Sequence, residues 1–136
     1  INKSYFELLS ELTVSPVPSF PAWKSQLESL ENSNTFLIVI EDILKNKIVG
    51  NITCLIEEKF IRNLGKVSHI EDIVVHSEYR RNKLGSKLMN LVIEFSKEIG
   101  CYKVILDGRR DAVDFYAKLG FEKKFNCMGC YPNSKK

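Results

Sequence analysis

Glu71 and Asp72 are neighbouring carboxylates inside an otherwise apolar run, His69-Ile70-Glu71-Asp72-Ile73-Val74-Val75. Acids are disfavoured in a strand unless that strand lines a polar site. Past this run the chain turns through a basic stretch, and Arg80, Arg81, Lys83 and Lys87 gather where a new periodicity begins. From there Leu84, Leu88, Leu91, Val92, Phe95 and Ile99 fall at helical spacing and make one apolar face. Backbone N–H groups at a helix start, ringed by cations, suit a phosphate. The implied chemistry is a phosphorylated ligand held at the end of a strand whose acids can manage protons.

Positioning such a corner needs a sheet. Ser4 to Leu12 reads as a short helix with Phe6, Leu9 and Leu8 or Leu12 inward, ended by Ser15-Pro16-Val17-Pro18. Pro21 to Leu30 reads as a second helix, with Pro21 in its first turn. Thr35 to Ile40 and Ile48 to Ile56 form a hairpin across a polar turn at 43–47, and Gly50 marks a bulge or a close backbone approach. Glu57 to Lys66 is a charged connection to the acid-bearing strand. Gly100 stops the long helix, Tyr102 to Asp107 is a strand ending on an acid, and Asp111 caps a helix that runs to Leu119 and stops at Gly120. Phe121 to Cys127 is expected to close the sheet, and Asn133 to Lys136 to fray. The two strands flanking the long helix should be parallel, joined by a right-handed crossover. Ligands of open α/β sheets bind at the carboxyl ends of strands, which brings Val75 to Gly85 and Asp107 to one edge.

The 136 residues suit a single domain. A net charge of +3, with both signs interspersed, is too mild to argue for nucleic acid yet compatible with small anions. The apolar run Phe36-Leu37-Ile38-Val39-Ile40 is far below a membrane span, and a cytoplasmic location is the default. Cys127 and Cys130 form a lone Cys-x-x-Cys; two reduced thiols are the plain reading, a redox pair or half a metal site the others. With two histidines and no second such pair, no metal centre is expected.

Arg80-Arg81-Asn82-Lys83-Leu84-Gly85 resembles the acetyl-CoA loop of the GCN5-related N-acetyltransferases, Gln/Arg-x-x-Gly-x-Gly/Ala, with Lys83 at a position where glycine is usual. Phe115-Tyr116-Ala117-Lys118-Leu119-Gly120-Phe121 resembles the Phe-Tyr-x-x-x-Gly-Phe junction of the same superfamily. His69 to Ile73, Gly100 to Asp107, Glu58 to Arg62 and Leu12-Thr13 are similar to its glucosamine 6-phosphate N-acetyltransferase branch. The resemblance implies an α/β fold with a mixed, mostly antiparallel sheet whose fourth and fifth strands are parallel, flanked by helices. It further implies acetyl-CoA as donor, an amino sugar phosphate as acceptor, a role in UDP-N-acetylglucosamine biosynthesis and a homodimer. Such enzymes carry an additional first strand that has no counterpart here, which an incomplete chain start would explain.

By that resemblance, Ile73, Val74 and Val75 offer backbone groups to the pantetheine arm, as an added strand would, and one N–H steadies the oxyanion. Arg81, Asn82, Lys83, Leu84, Gly85 and Ser86 hold the diphosphate, and Tyr116, Ala117 and Lys118 complete the cofactor contacts. Tyr116 is the candidate acid for the departing thiolate. Glu71, Asp72 and Asp107 hold the sugar, with Glu71 and Asp107 candidates for catalysis. Strand alternation would send Glu71 and Asp72 to opposite faces. Thr13, Lys59, Phe60, Ile61 and Arg62 fall in the substrate segments, and Lys103 is a further cation for the sugar phosphate. Ala112 stands where the family has asparagine, and Tyr131 where a C-terminal arginine reaches the sugar phosphate. Rival readings are an acceptor that is another small amine or a protein amino group, and a non-catalytic acyl-CoA-binding module.

Overall fold

The computed structural model describes residues 2–133; Ile1 and the expected frayed Ser134, Lys135 and Lys136 lie outside them. The chain divides into two compact units, Ile1–Leu106 and Asp107–Lys136. The first holds α1 (Asn2–Leu9), α2 (Phe20–Glu31), β1 (Thr35–Asp42), β2 (Lys47–Glu58), the single turn α3 (Ile61–Leu64), β3 (Lys66–Val75), α4 (Leu84–Glu98) and β4 (Cys101–Leu106). The second holds a 3-10 turn, Arg110–Ala112, and α5 (Val113–Ala117).

Four strands pair in the order β1-β2-β3-β4 among the described residues. β1 with β2 and β2 with β3 are antiparallel, and β3 with β4 is parallel across the α4 crossover. The sheet is therefore mixed and mostly antiparallel, and its parallel pair is the third and fourth strand here. β2 is covered by α1 and α4. Its residues Ile48 to Ile52 are buried in sequence, so it reads as a continuous run rather than an alternation. At Gly50 both expectations hold. Ile40 pairs with Gly50 and Glu41 with Ile48, leaving Val49 as the extra residue, and a Cβ on Gly50 would lie 3.1 Å from Ile40 Cδ1.

Helix starts and stops follow local chemistry. Ser19 accepts a hydrogen bond from the Ala22 N–H and caps α2, with Pro21 in the first turn. Gly100 ends α4 at φ +81° and Gly120 ends the α5 segment at φ +90°, a region few other residues adopt cheaply. α4 buries Leu88, Met89, Val92 and Ser96. Leu91, expected on the apolar face, is 54% exposed, because the seam against the sheet is centred on Met89 and Val92. Buried Ser96 donates its hydroxyl to the Val92 carbonyl at 2.7 Å, within the same helix.

Three expectations in the second half fail. Asp111 does not cap a helix: α5 starts at Val113 behind Ala112, and Asp111 pairs with Arg109 at 3.2 Å. α5 is shorter than the Asp111–Leu119 span because the first residues wind as a 3-10 turn. Phe121 to Cys127, expected as a closing strand, forms no strand. On the front of the chain Leu8 is fully buried against Ile48 and Val74, with Tyr5 and Leu9 beside it. Leu8→Ala is expected to destabilise the protein by about 2–5 kcal/mol, read as a lowered urea midpoint at unchanged slope.

Candidate active site

β3 runs to Val75, but its pairing with β4 stops at Ile70↔Leu106. On its other side Asn51 pairs with Val74 and Thr53 with Glu71, so Ile52 alone opposes Asp72 and Ile73. This is a β-bulge, with Asp72 in the left-handed region at φ +49°. Bulge and unpaired length coincide: from Glu71 to Val75 the edge toward β4 carries backbone groups that no neighbouring strand uses. The bulge also breaks alternation. Glu71 and Asp72 are exposed in succession, so no covering surface shelters either of them.

Fully buried Asn51 holds the bulge in place. Its Nδ2 donates to the Asp72 carbonyl at 2.8 Å, and its Oδ1 accepts from the Tyr5 hydroxyl at 3.3 Å. Burial, and then the Asp72 charge, push the Tyr5 phenol up to about 12, so it stays a donor. Sequence reasoning passed over Asn51. The signal was there: a lone amide in the apolar run Ile48-Val49-Gly50-Asn51-Ile52 must find partners.

A second polar chain crosses β2 and β3. Lys59 Nζ lies 2.5 Å from Glu57, whose Oε1 is 3.3 Å from His69 Nδ1, and His69 Nε2 is 3.2 Å from Glu71. The Lys59 hydrogen bond leads the causes that hold the Glu57 carboxyl below its ordinary value, outweighing desolvation, with His69 adding to it. Lys59 is thus already engaged by a carboxylate. His69, to which the residue pattern assigned no role, links that pair to Glu71. Beyond Lys59, Phe60 and Ile61 are 96% and 66% exposed, and Arg62, Asn63 and Leu64 are all left-handed at φ +57°, +55° and +57°. Arg62 lies over the Tyr102 ring at 5.7 Å, as does Lys103. Thr13 follows α1, exposed, its N–H donating to the Leu9 carbonyl at 3.3 Å.

The basic turn is shaped by side chains. Arg80 Nε donates to the Val75 carbonyl at 3.1 Å, and Asn82 Nδ2 to the Tyr79 carbonyl at 3.1 Å. Tyr79 donates its hydroxyl to Asp42 at 2.5 Å. Arg81 and Lys83 are left-handed at φ +68° and +58°. Lys83 is the N-cap of α4 and makes no side-chain cap bond, so no side chain closes the first turn at Leu84, Gly85 and Ser86. Its positive φ explains why glycine is usual there. In the second unit Tyr116 stacks edgewise on Phe115 and Phe121, and burial pushes its phenol up. Ala117, Lys118 and Asp107 are exposed.

An uncapped helix start among cations, beside a strand end with idle backbone groups, has the donors that a diphosphate followed by an amide-bearing arm would need. Residues 2–121 match the Acetyltransferase (GNAT) family. The chain belongs to that family. It is 37% identical over 132 residues to a glucosamine 6-phosphate N-acetyltransferase of Arabidopsis thaliana, covering 96% of this chain and 89% of that protein. It is 39% identical over 131 residues to glucosamine 6-phosphate N-acetyltransferase 1 of Dictyostelium discoideum, covering 96% and 83%. The crystal structure of the Arabidopsis thaliana enzyme superposes with a TM-score of 0.91 at 36% identity, over 96% of this chain and 90% of that one. A Trypanosoma brucei acetyltransferase gives 0.92 at 35% identity, over 96% and 92%. As in the rest of the GNAT family, the acetyl donor is acetyl-CoA, and the uncapped start of α4 and the open β3 edge fit it.

An open apolar depression of 480 Å³ lies elsewhere, between Leu27, Leu30, Phe36 and Phe95. It offers little polar chemistry and plays no part in this site. Lys83→Gly is expected to raise the unfolding free energy by roughly 1 kcal/mol through relief of the left-handed backbone. Urea unfolding checks the gain, and titration with acetyl-CoA should show weaker binding from the lost charge.

Proposed function

We propose that this protein moves the acetyl group of acetyl-CoA to the amine of D-glucosamine 6-phosphate, giving N-acetyl-D-glucosamine 6-phosphate for UDP-N-acetylglucosamine biosynthesis. The observation that carries the reading is similarity over almost the whole chain to proteins of that name, joined to a β3 edge and α4 start that suit the donor.

Acetyl-CoA, when bound, supplies a thioester carbonyl whose C–S bond breaks as the C–N bond forms. Ile73, Val74 and Val75 hold the pantetheine arm through backbone groups, and one of their N–H groups donates to the carbonyl oxygen. Arg81, Asn82, Lys83, Leu84, Gly85 and Ser86 hold the diphosphate, with Ala117 and Lys118 as further contacts. Glu71, Asp72 and Asp107 bind the acceptor's amine and hydroxyls, and Thr13 and the Lys59–Arg62 segment its remaining groups. The amine attacks only when neutral, so its proton passes to a carboxylate, directly or through water. Tyr116 donates to the departing thiolate. Burial raises its phenol, which keeps the hydroxyl protonated at neutral pH but widens the gap to a thiol, so its contribution is a hydrogen bond to the thiolate rather than full proton transfer.

A homodimer and a cytoplasmic location belong to the same reading. Exposed Phe60, Ile61 and Leu64 in the first unit, and Phe125, Met128 and Tyr131 in the second, support a protein surface that a second copy covers. Among the described residues no helix is long and apolar enough to cross a membrane. Two observations favour a second reading, an acceptor that is an unphosphorylated small amine: Lys59 is engaged by Glu57, and tyrosine occupies position 131.

A thiol-release assay with acetyl-CoA separates the two. Glucosamine 6-phosphate should be turned over with a kcat/KM at least about tenfold above glucosamine, since a charge-assisted phosphate contact contributes on that order. Equal rates on both sugars would favour the second reading. Tyr116→Phe should lower kcat about 10²-fold with little change in the KM for either substrate.

A further inference from the structure

Glu11 lies just past the end of α1, two residues before Thr13, and its side chain is only 22% exposed. Three donors from the turn between β3 and α4 converge on its carboxylate. The Ser77 N–H bonds both oxygens at 3.1 Å, the Ser77 hydroxyl bonds Oε1 at 3.1 Å, and Arg80 Nη2 bonds Oε2 at 2.6 Å. His76 Nε2 stands 3.8 Å from the same carboxylate and 2.8 Å from Lys47 Nζ. The same Arg80 reaches the last carbonyl of β3, Val75, through Nε. One acid on the N-terminal segment thereby holds both the basic turn and the strand end.

The turn has physical need of such a tie. It carries two left-handed residues, Arg81 and Lys83, neither of them glycine. Such backbone is costly for any residue but glycine and persists only where surrounding contacts over-determine it. Asp42 fixes Tyr79, and Glu11 fixes Ser77 and Arg80, so both clamps come from outside the turn.

We propose that Glu11 is a positioning residue for acetyl-CoA: through Ser77 and Arg80 it sets the diphosphate turn and the Val75 carbonyl, and so joins the Thr13 segment to the donor site. The inference rests on the reading that the start of α4 holds the diphosphate. Arg80, by the same geometry, is committed to protein partners and not to phosphate.

The experiment is calorimetric titration of the full chain with acetyl-CoA, alongside steady-state kinetics, for the wild type, Glu11→Ala and Glu11→Gln, with circular dichroism to confirm folding. Glu11→Ala should weaken acetyl-CoA binding and raise its KM by about tenfold, the loss of a charge-assisted network, while kcat at saturating donor falls far less. Glu11→Gln keeps an oxygen for Ser77 but loses the ion pair, and should fall between; it also serves if the alanine variant does not fold. A lower melting temperature with unchanged acetyl-CoA affinity in a folded variant overturns the proposal. Failure of the wild type to bind acetyl-CoA overturns the underlying site reading instead, and the proposal with it.

Discussion

The bulge at Asp72 is the constraint on which this architecture depends. One extra residue in β3, opposite Ile52, breaks the pleat just where pairing with β4 ends. β4 ends at Leu106, opposite Ile70, so β3 runs on from Glu71 to Val75 with no described strand along that edge. That stretch leaves a row of backbone groups ahead of a helix start, the kind of edge an extended ligand can pair with. Because unsatisfied backbone is costly in a dry interior, the opening is tolerable only at a solvated rim.

Two sets of contacts hold that opening from behind. Asn51, buried in the central strand, donates to the Asp72 carbonyl and accepts from Tyr5 of α1. Glu11, past the end of the same helix, accepts from Ser77 and Arg80. Leu8 between them is packed on Ile48 and Val74. A short N-terminal helix that looks peripheral in the chain therefore reaches both ends of the open stretch. Its burial stabilises the geometry of the edge as well as the core.

Charge is arranged with similar economy. The acids on β3 do not stand alone, since Glu71 meets His69, which meets Glu57, which meets Lys59. Such a chain shares charge across two strands and lets carboxylates sit together at moderate cost. It also engages a lysine that charge alone would assign to a phosphate. The substitution of Lys for glycine at position 83 has a comparable character, adding a cation where the backbone prefers no side chain at all.

Much was legible in the residues themselves. Apolar spacing after Leu84, the Pro and Gly punctuation at Pro21 and Gly100, and the hairpin around residues 43–47 are short-range signals, and the elements they mark lie where expected. So did the basic turn at the head of α4, because a helix start and its cations are adjacent in sequence. Tertiary structure alone decided that a bulge falls at Asp72, since a bulge depends on register with Ile52 on the neighbouring strand. It alone joined Glu11 to Arg80 and Asn51 to Asp72, for a carboxylate and an amide find partners by distance in space. The missing strand after Phe121 teaches the same lesson from the other side: a β-pattern is only a proposal for pairing, and pairing is decided in space.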